Sequence, residues 1–564
     1  MALPPIAIVV LAVLGFGYLR YGSFLARRYR LDAATATPAV TRNDGVDYLP
    51  TPRFYLLGQH FSAIAAAGPV AGPILAAQQW GWLPCLLWIG LGAVLIGAVH
   101  DFSTLIASVR HDGRSMAEIV RHHLGERAGL AMMLFIWVAL VYVIIAFADI
   151  TASTFVGRTE DLEGMSFAFN LGGAVAMSSV LYLLLSFVLG AVERVLAPPL
   201  WLSTAIFVPA TLGVVWLGTQ LSTVLVLDGK TWGTLILAYC FVASLLPVWT
   251  LLQPRGYLGG FVLYLSLAVG VLGIFFGGFA IREPSFVGWR APGATGSLFP
   301  FLFVTVACGA CSGFHGLVCS GTTSKQIAIE PDCRPVGYGG MLLEGFVALI
   351  ALSTVMIADP ASLAGKAPGT IYGEGLGRYL TVLLGPDRLL FATTFGAMAF
   401  STFVFDTLDV TTRLGRYIVQ ELSGWQGTAG ALAATAVTVA VPLAVLLAAE
   451  EGAYRLFWTL FGTSNQLLAA LSLLAVWVWL KRTEGRGGFA VLPMLFVLAM
   501  TLWSLALQAA AGWSAVAARG PHLDAATLNG VVALVLIALA GVLIAEALRA
   551  VRSPSAGALR EPAV

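Results

Sequence analysis

The residues best able to do chemistry in this chain are polar side chains set inside otherwise apolar segments. Residues 299–325 begin as an ordinary apolar helix and lose that character halfway along. Gly309 and Gly313 are poor helix formers. Ser312 and His315 add polar groups beside them. Unpaired backbone groups in hydrocarbon are costly, so a broken helix is stable only where its break faces protein or water. We therefore expect these four residues to line a substrate-binding site.

A second interrupted segment lies nearer the start of the chain, at residues 58–79. Gly68 and Pro69 are followed four residues later by Gly72 and Pro73. Each proline removes a helical hydrogen bond and clashes with the preceding turn, so the helix should unwind or kink here. A proline-kinked structural helix is the alternative, since Gly and Pro are common in membrane helices. As a binding element, the segment would present Gly68, Pro69 and Gly72 to the substrate.

Ionisable side chains inside apolar segments are candidates for ion or proton coupling, because burying them is costly. Glu344 lies about eight residues into its segment, roughly 12 Å from the start at 1.5 Å per residue. His60 and Asp149 are candidates of the same kind, and a histidine titrates near physiological pH. The alternatives are a helix-end role for His60 and a packing role for His315. Asp101 closes its segment, either as a gate contact or as a solvated residue at a helix end.

One helix face near residue 406 carries a predicted ion network. Asp406 and Asp409 are three residues apart and Arg413 follows four residues later, so all three share a face. We expect them to form a gate latch, with Asp406 also a candidate for ion coupling. Asn465 and Gln466, in a later segment, offer neutral hydrogen bonds either to substrate or between helices.

Three cysteines and one histidine form a helical stripe along the first interrupted segment described above. Cys308, Cys311, His315 and Cys319 are separated by three, four and four residues. Zinc needs three or four ligands around one point, whereas a straight helix spreads this stripe over about 16 Å. Packing of small residues is therefore the favoured interpretation, and a metal site would require that helix to break.

Composition places all of these residues in a polytopic membrane protein. Of 564 residues, 59% are hydrophobic and 11% are charged, against the ~25% charged residues of soluble proteins. Continuous apolar runs exclude a β-barrel, whose strands alternate. The composition also excludes a nucleic-acid-binding protein, and cysteines within apolar segments argue against a disulfide framework. About 15 transmembrane helices are predicted, at residues 3–20, 58–79, 83–108, 128–156, 169–190, 199–219, 232–251, 257–280, 298–320, 336–357, 386–408, 427–449, 455–480, 489–511 and 526–548.

Basic residues set the predicted orientation. Arg27, Arg28 and Arg30 follow the first apolar run and no basic residue precedes it, which is the opposite of a cleaved signal peptide. We therefore expect a retained first helix. The loops predicted on the same side of the membrane as this one carry more Arg and Lys than the loops on the opposite side. The positive-inside rule therefore places the N-terminus outside and the C-terminus in the cytoplasm.

The two interrupted spans run in opposite directions in this topology, which is the sequence pattern of an inverted-repeat transporter. The predicted repeats occupy about 58–219 and 298–480, with intervening helices at 232–280. The segment 359–385 is the longest outside loop, and its folding is left open. The predicted divisions of the chain are 1–57, the first helix and a cytoplasmic loop; 58–480, the transporter core; and 481–564, two further helices and a cytoplasmic tail.

Longer motifs are spread from about residue 45 to about residue 480. They are Gly68-Pro-Val-Ala-Gly-Pro, His100-Asp-Phe, His111-Asp-Gly-Arg-Ser, Leu252-Gln-Pro-Arg, Ala307-Cys-Gly-Ala, Ser312-Gly-Phe-His, Ser320-Gly-Thr-Thr and Phe461-Gly-Thr-Ser-Asn-Gln-Leu. Together they resemble the carbon starvation protein A (CstA) family of bacterial and archaeal inner-membrane proteins. The resemblance implies peptide uptake or, in some members, proton-coupled pyruvate import.

The same resemblance implies the LeuT-like five-plus-five inverted repeat of the amino acid–polyamine–organocation transporters, to which the family is related. By helix order, Ser401 and Thr402 correspond to the hydroxyl pair that helps bind sodium in related symporters. Cys311 and Cys319 depart from the family pattern. The chain is also shorter than the longest members, which leaves the identity of the substrate open.

These features predict a secondary active transporter that imports pyruvate, a short peptide or another small organic solute by alternating access. No Walker A motif is present, so protons or sodium would supply the drive. A carboxylate substrate would be held at half-helix N-termini, whose dipoles favour anions. A channel or a nutrient sensor is the alternative, and an enzyme is not expected. Beyond the coupling ion no cofactor is predicted. The expected partners are membrane lipid and the solute, with homo-oligomerisation left open.

Overall fold

The computed structural model describes residues 2–45, 47–65, 67–157, 159–160, 168–290, 296–450, 453–483, 485, 487–520 and 524–552. The earlier helices are α1 (Leu3–Phe16), α2 (Ser23–Tyr29), α3 (Pro38–Thr41), α4 (Arg53–Ile64), α5 (Gly68–Trp80), α6 (Trp82–Gly92), α7 (Ala98–Val109), α8 (Met116–Leu124), α9 (Glu126–Phe155), α10 (Leu171–Leu196), α11 (Leu200–Gln220), α12 (Gly229–Leu245) and α13 (Leu252–Phe276). The later helices are α14 (Leu298–Thr305), α15 (Gly313–Gly321), α16 (Gly340–Met356), α17 (Pro360–Leu363), α18 (Pro368–Leu384), α19 (Leu389–Ser423), α20 (Gly427–Ala448), α21 (Tyr454–Thr483), α22 (Gly488–Arg519) and α23 (Ala525–Arg552). Two short strands, β1 (Thr159–Glu160) and β2 (Phe169–Asn170), pair antiparallel.

Most of these helices are long and apolar. In the described part of the chain, 12 spans are long and apolar enough to cross a membrane, and the pair α4 and α5, bent by 46°, makes a thirteenth when counted as one. π-Helical turns at Gly17–Gly22 and Ala93–Gly97 join α1 to α2 and α6 to α7. The other two predicted spans correspond to α12, of 17 residues, and to the short pair α14 and α15. The chain is thus an all-α polytopic membrane protein, as predicted.

Both interrupted spans break close to the predicted positions. Pro69 lies in the first turn of α5, where a missing N–H is tolerated, so that helix breaks before Gly68. Pro73 lies inside α5 and does not end it. Between α14 and α15, residues 306–312 run through turns and irregular backbone. Gly309, in the middle of this stretch, is a poor helix former.

The spans differ in how much of them other helices cover. In its most apolar window, α21 is 94% buried, and the windows that contain α19 and α9 are 78% and 72% buried. The corresponding values for α11 and α23 are 22% and 28%. The first three are therefore largely covered by other helices, as is α16 with 83% of its window buried, whereas α11 and α23 present most of their surface to lipid.

The segment 359–385, whose folding the sequence left open, contains α17 and α18. α18 packs on α19 and α13. Its contact face is made of glycines four residues apart: a Cβ on Gly373 would lie 2.6 Å from Ala397 Cβ, and one on Gly377 would lie 2.8 Å from Thr393 Cα. This close helix approach is the role of small-residue repeats in membrane proteins. The short helix α8 begins with a Ser115–Glu118 capping box and packs on α9 and α21.

Candidate functional site

The two broken spans pack directly against each other. A Cβ on Gly68 would collide with Cys308, and one on Gly72 would lie 2.7 Å from the Thr305 carbonyl oxygen. A Cβ on Gly309 would lie 2.5 Å from Ala348 Cβ, and Pro69 Cα would be in ordinary van der Waals contact with it at 3.7 Å. All of these residues are buried. The glycines that the sequence marks as substrate-binding therefore bring two irregular backbone segments together at one place.

Side chains from neighbouring helices satisfy the carbonyl groups that the break leaves without helical partners. Trp458 Nε1 donates to the Thr305 carbonyl and Trp88 Nε1 to the Val306 carbonyl, each at 3.0 Å. Gln466 Nε2 donates to the Phe303 carbonyl at 2.9 Å. These carbonyls end α14, and in a membrane they would otherwise be unpaired. Sequence reasoning missed both tryptophans, although a buried indole N–H usually has a partner.

Asn465 supports the other side of the break. Its Oδ1 accepts from the Phe314 backbone N–H at 2.8 Å, and its Nδ2 donates to Ser312 Oγ at 3.0 Å and to Cys308 Sγ at 3.4 Å. The Asn465 side chain thus caps the start of α15 and also contacts residues just before it. The sequence left open whether Asn465 and Gln466 bond to substrate or between helices. In this structure both side chains make hydrogen bonds between helices.

A buried chain of ionisable groups crosses the break. His315, on α15, contacts Asp101 Oδ2 through Nδ1 at 2.8 Å and Glu344 Oε2 through Nε2 at 3.1 Å. The second contact has ion-pair distance but lacks good hydrogen-bond alignment. His100 Nδ1 lies 2.7 Å from the other Asp101 oxygen. Each of the four side chains is at most 1% exposed.

This geometry joins residues that the sequence treated separately. Asp101, on α7, is a fully buried partner of His315, so the alternative of a solvated residue at a helix end is wrong. Glu344, on α16, shares that partner. One imidazole therefore connects two helices of the core through carboxylates. The sequence shows that each buried charge needs a partner but does not identify it.

The other candidates for ion or proton coupling lie outside the buried chain of ionisable groups around His315. His60, near the end of α4, is buried, and its Nδ1 contacts Thr323 Oγ1 at 2.9 Å, just after α15. His60 therefore bridges the two broken spans. Asp149 lies half-buried on α9. Ser401 Oγ contacts Ser179 Oγ of α10 at 2.7 Å, and Thr402 Oγ1 lies 3.1 Å from Met398 Sδ of its own helix.

The predicted ion network of Asp406, Asp409 and Arg413 is wrong in one respect: the cation that pairs with the two aspartates is Arg255 and not Arg413. Arg255, at the start of α13, is fully buried and contacts both aspartates, donating to Asp406 Oδ1 at 2.7 and 2.9 Å and lying 2.6 Å from Asp409 Oδ2. Tyr239, on α12, contacts Arg255 at 2.6 Å and Asp409 at 2.9 Å.

Arg413 instead donates to the Ala243 and Leu246 carbonyls at 2.9 and 2.8 Å, at the end of α12. It therefore satisfies helix-end carbonyls that have no intrahelical partners. The aspartates tie α19 to α13 and α12, because Arg255 reaches them from another helix.

The cysteine stripe is divided among different neighbours. Cys308 faces Gly68 and Asn465, whereas Cys319 Sγ donates to the Asp101 carbonyl at 3.5 Å. All six cysteines are free and buried. Within the described ranges, no group of three His, Cys, Asp or Glu side chains is placed to hold a metal ion.

Comparison with known proteins gives consistent similarities. The sequence model of the family described as "Carbon starvation protein CstA" matches residues 4–376 and 363–504. A protein named peptide transporter CstA from Helicobacter pylori is 34% identical over 567 residues, covering 87% of this chain and 80% of that protein. The Escherichia coli protein named pyruvate/proton symporter BtsT is 31% identical over 609 residues, with 89% and 81% covered. Among solved structures, an Eremococcus coleocola manganese transporter variant is 13% identical with a TM-score of 0.46, covering 89% of this chain and 97% of that one.

Proposed function

Because the chain belongs to the carbon starvation protein CstA family and is a membrane transporter, we propose that it imports pyruvate or short peptides by proton-coupled alternating access. Its relatives are named as transporters rather than as enzymes. The observation that carries the proposal is the buried His315 held between Asp101 and Glu344, beside the break of α14 and α15. We retain the predicted orientation, with the N-terminus outside and the C-terminus in the cytoplasm of the bacterial inner membrane.

The order of helices supports an inverted repeat. A broken span, a full span and a short helix occur twice, as α4–α8 and as α14–α18. The short helix α8 packs on α9 and α21, and its counterpart α18 packs on α19 and α13. If α9 corresponds to α19, these neighbours make α13 the counterpart of α21.

The packing of α12 supports the same correspondence. α12 contacts α9, α19 and α20, and α20 contacts α19, α9 and α12. We therefore propose that α12 and α13, rather than α10 and α11, complete the first five-helix repeat. α10 and α11 would then be an insertion within the first repeat. Because two consecutive spans cross the membrane once in each direction, this insertion leaves the direction of the following helices unchanged. The large lipid-facing surface of α11 suits a peripheral position.

Proton binding at His315 would change how the core helices are connected. A protonated imidazole donates from both nitrogens and holds both carboxylates, whereas a neutral one donates to only one of them. With His315 protonated and both carboxylates ionised, this trio carries one net negative charge. A second proton, on Glu344, would neutralise it. Protonation of His315 thus decides whether the imidazole ties α15 to only one of α7 and α16 or to both.

A carboxylate substrate would be coupled to that charge. The helices α5 and α15 both begin at the breaks, and helix N-termini favour anions. An anion about 8 Å from the net negative charge would be repelled by about 2 kcal/mol at an effective dielectric constant of about 20, roughly thirtyfold in affinity. Proton uptake removes this repulsion, so solute and proton would bind together.

The experiment is uptake of labelled pyruvate and of a short peptide into proteoliposomes, with pH and sodium gradients imposed separately. Concentrative uptake under the pH gradient alone is expected. Uptake that needs only the sodium gradient would make sodium the coupling ion, and solute flux that never exceeds equilibrium would favour the channel alternative. No flux of either solute would leave the sensor alternative in place of transport.

The variant Glu344→Gln tests the carrier role. It should abolish gradient-driven uptake but spare solute counterflow, which needs no net proton movement. Glu374→Gln is the matched control, because Glu374 lies on α18 in a partly exposed ion pair with Lys366. Driven uptake by Glu344→Gln at the rate of the Glu374→Gln control would reject Glu344 as the proton carrier.

A further inference from the structure

His60 is a buried histidine with one ring nitrogen that the contacts described above leave unused. The side chain is 1% exposed, and its Nδ1 contacts Thr323 Oγ1 at 2.9 Å. Its Nε2 has no hydrogen-bond partner among the described residues. Buried polar atoms normally have a partner, so an unpaired one calls for an explanation. Because an imidazole can take a proton at one nitrogen and give one up at the other, His60 is suited to pass protons between its two sides.

The unpaired nitrogen of His60 lies against α16 at Gly340. A Cβ on Gly340 would lie 2.9 Å from His60 Cδ2 and 3.4 Å from His60 Nε2. Glu344 follows four residues later on the same face of α16. Helical side chains lean toward the N-terminus of their helix, so that of Glu344 extends toward the turn that carries Gly340. Cβ atoms four residues apart are separated by about 5–6 Å, so the Glu344 carboxyl group can reach His60 Nε2 directly or through one water.

Glu344 has an oxygen available for this exchange. Its Oε2 lies 3.1 Å from His315 Nε2, whereas its Oε1 has no hydrogen-bond partner in the described part of the chain. Two other ionisable groups, Asp101 and His315, lie around His60 and contact each other at 2.8 Å. His100 holds the second Asp101 oxygen at 2.7 Å. Of the two buried carboxylates, Glu344 is therefore the one placed to exchange a proton with His60.

His60 lies closer to the cytoplasm than Glu344 in the predicted orientation. Gly340, which the ring contacts, comes four residues before Glu344, or about 6 Å along a helix that begins on the cytoplasmic side. His60 itself lies seven residues into α4, about 10 Å from the start of that helix, where Phe54 is 81% exposed. Thr323, which Nδ1 contacts, begins the turn that follows α15. The two ring nitrogens thus face the core on one side and the cytoplasmic end of the broken span on the other.

We propose that His60 passes the coupled proton from Glu344 to the cytoplasm, taking it at Nε2 and giving one up at Nδ1. This inference rests on the proton coupling proposed above, and it adds the route by which the proton leaves. It also assigns a role to Gly340, where any side chain would displace the ring.

The transfer starts from the neutral imidazole whose Nδ1–H donates to Thr323 Oγ1. The O–H bond of the Glu344 carboxyl group breaks as an N–H bond forms at His60 Nε2, which leaves a carboxylate and an imidazolium. The Nδ1–H bond then breaks and its proton goes to Thr323 Oγ1, whose own hydroxyl hydrogen passes to water on the cytoplasmic side. The ring is left neutral with its hydrogen on Nε2, and exchange to the other neutral tautomer prepares it for the next proton.

The experiment compares His60→Gln with His122→Gln in proteoliposomes, using labelled pyruvate and a labelled short peptide. Glutamine can still hydrogen-bond to Thr323 but cannot carry a proton, and His122 is an exposed histidine of α8. His60→Gln should slow uptake driven by a pH gradient by about 100-fold, the contribution of a positioned proton-transfer group, and should spare solute counterflow. The control should change neither rate. Driven uptake by His60→Gln at the rate of the control would overturn the proposal, and so would an equal loss of counterflow, which indicates a structural role.

A second pair of variants moves the ring without removing it. Gly340→Ala adds a Cβ that the His60 ring must avoid, whereas Gly339→Ala adds one at an ordinary contact distance of 3.5 Å from Tyr18. Gly340→Ala should slow driven uptake more than counterflow, and Gly339→Ala should slow neither. Equal driven uptake by these two variants would contradict the placement of the relay at Gly340.

The wild type separates this inference from the function on which it rests. Absence of concentrative uptake by the wild type under a pH gradient would overturn both. Concentrative uptake by the wild type and by His60→Gln, but not by Glu344→Gln, would overturn the relay alone, because the coupled proton would then leave Glu344 without His60.

Discussion

A methyl group added at Gly313 tests whether the start of α15 is fixed by its contact with α21. An alanine Cβ at this position would lie 2.6 Å from both the Ala469 nitrogen and Leu468 Cβ. Favourable contacts between carbon atoms lie at about 3.5–4.0 Å, so the two helices would have to separate by about 1 Å. A shift of that size would stretch the 2.8 Å bond from the Phe314 N–H to Asn465 beyond hydrogen-bond length.

The expected cost follows from two opposing terms. Overpacking a close helix contact costs about 1–3 kcal/mol, whereas replacing a helical glycine by alanine otherwise gains about 0.5–1 kcal/mol. Gly321→Ala is the matched control, because Gly321 ends the same helix and no atom lies within 4 Å of its added Cβ. The control should be slightly stabilised. Gly313→Ala has the same helical gain but adds the overpacking cost, so it should be less stable than the control by about 1–3 kcal/mol.

The assay is thermal unfolding in detergent, followed with a thiol-reactive dye. All six cysteines are buried, so the dye reports loss of the packed structure. Gly313→Ala should unfold at a lower temperature than the wild type, and Gly321→Ala at the same or a slightly higher one. Unfolding of Gly313→Ala at the temperature of the control or above it would refute the claim that this contact positions α15.

The same unfolding assay tests three other features. Arg255→Met leaves two buried aspartates without their cation and should lower the free energy of unfolding by about 3–5 kcal/mol. Arg255→Lys keeps the charge and should lower it less. Equal losses in the two variants would contradict the assignment of Arg255 as the cation that pairs with both aspartates. Trp88→Phe and Trp458→Phe each leave a buried carbonyl without its donor and should lower the free energy of unfolding by about 1–3 kcal/mol. Trp513→Phe is the control, because Trp513 is exposed. A loss no greater than that of the control would refute the role of the two tryptophans as donors to the carbonyls at the end of α14. Burial raises the pKa of Glu283, between α13 and α14, from 4.5 to about 7. The folded state then binds more protons than the unfolded state between these pH values, so stability falls as pH rises through this window. Glu283→Gln should flatten that fall, and an unchanged slope would exclude Glu283 as its source.

Several features of the protein were predictable because they follow from local chemistry. Long continuous apolar runs require membrane helices, whatever those helices contact, and the all-α polytopic fold is confirmed. The glycine and proline clusters predict the break before Gly68 and the one at 306–312, because those residues disfavour helix wherever they lie. The motifs are long enough to identify the CstA family, and this assignment is confirmed. The α17 and α18 helices were missed, since the segment between 359 and 385 is too polar to read as a membrane span.

What the sequence by itself determined is where helices cross the membrane, where they break and which charges must be buried. Only the tertiary structure decided which groups meet. His315 contacts Asp101, 214 positions away in the sequence, and Asp406 contacts Arg255, 151 positions away. The reason is that a buried charge in hydrocarbon must have a partner, but its own helix supplies only the residues three and four positions away. Arg413 satisfied that local spacing and still bonds elsewhere, because helix packing sets which side chains come within reach.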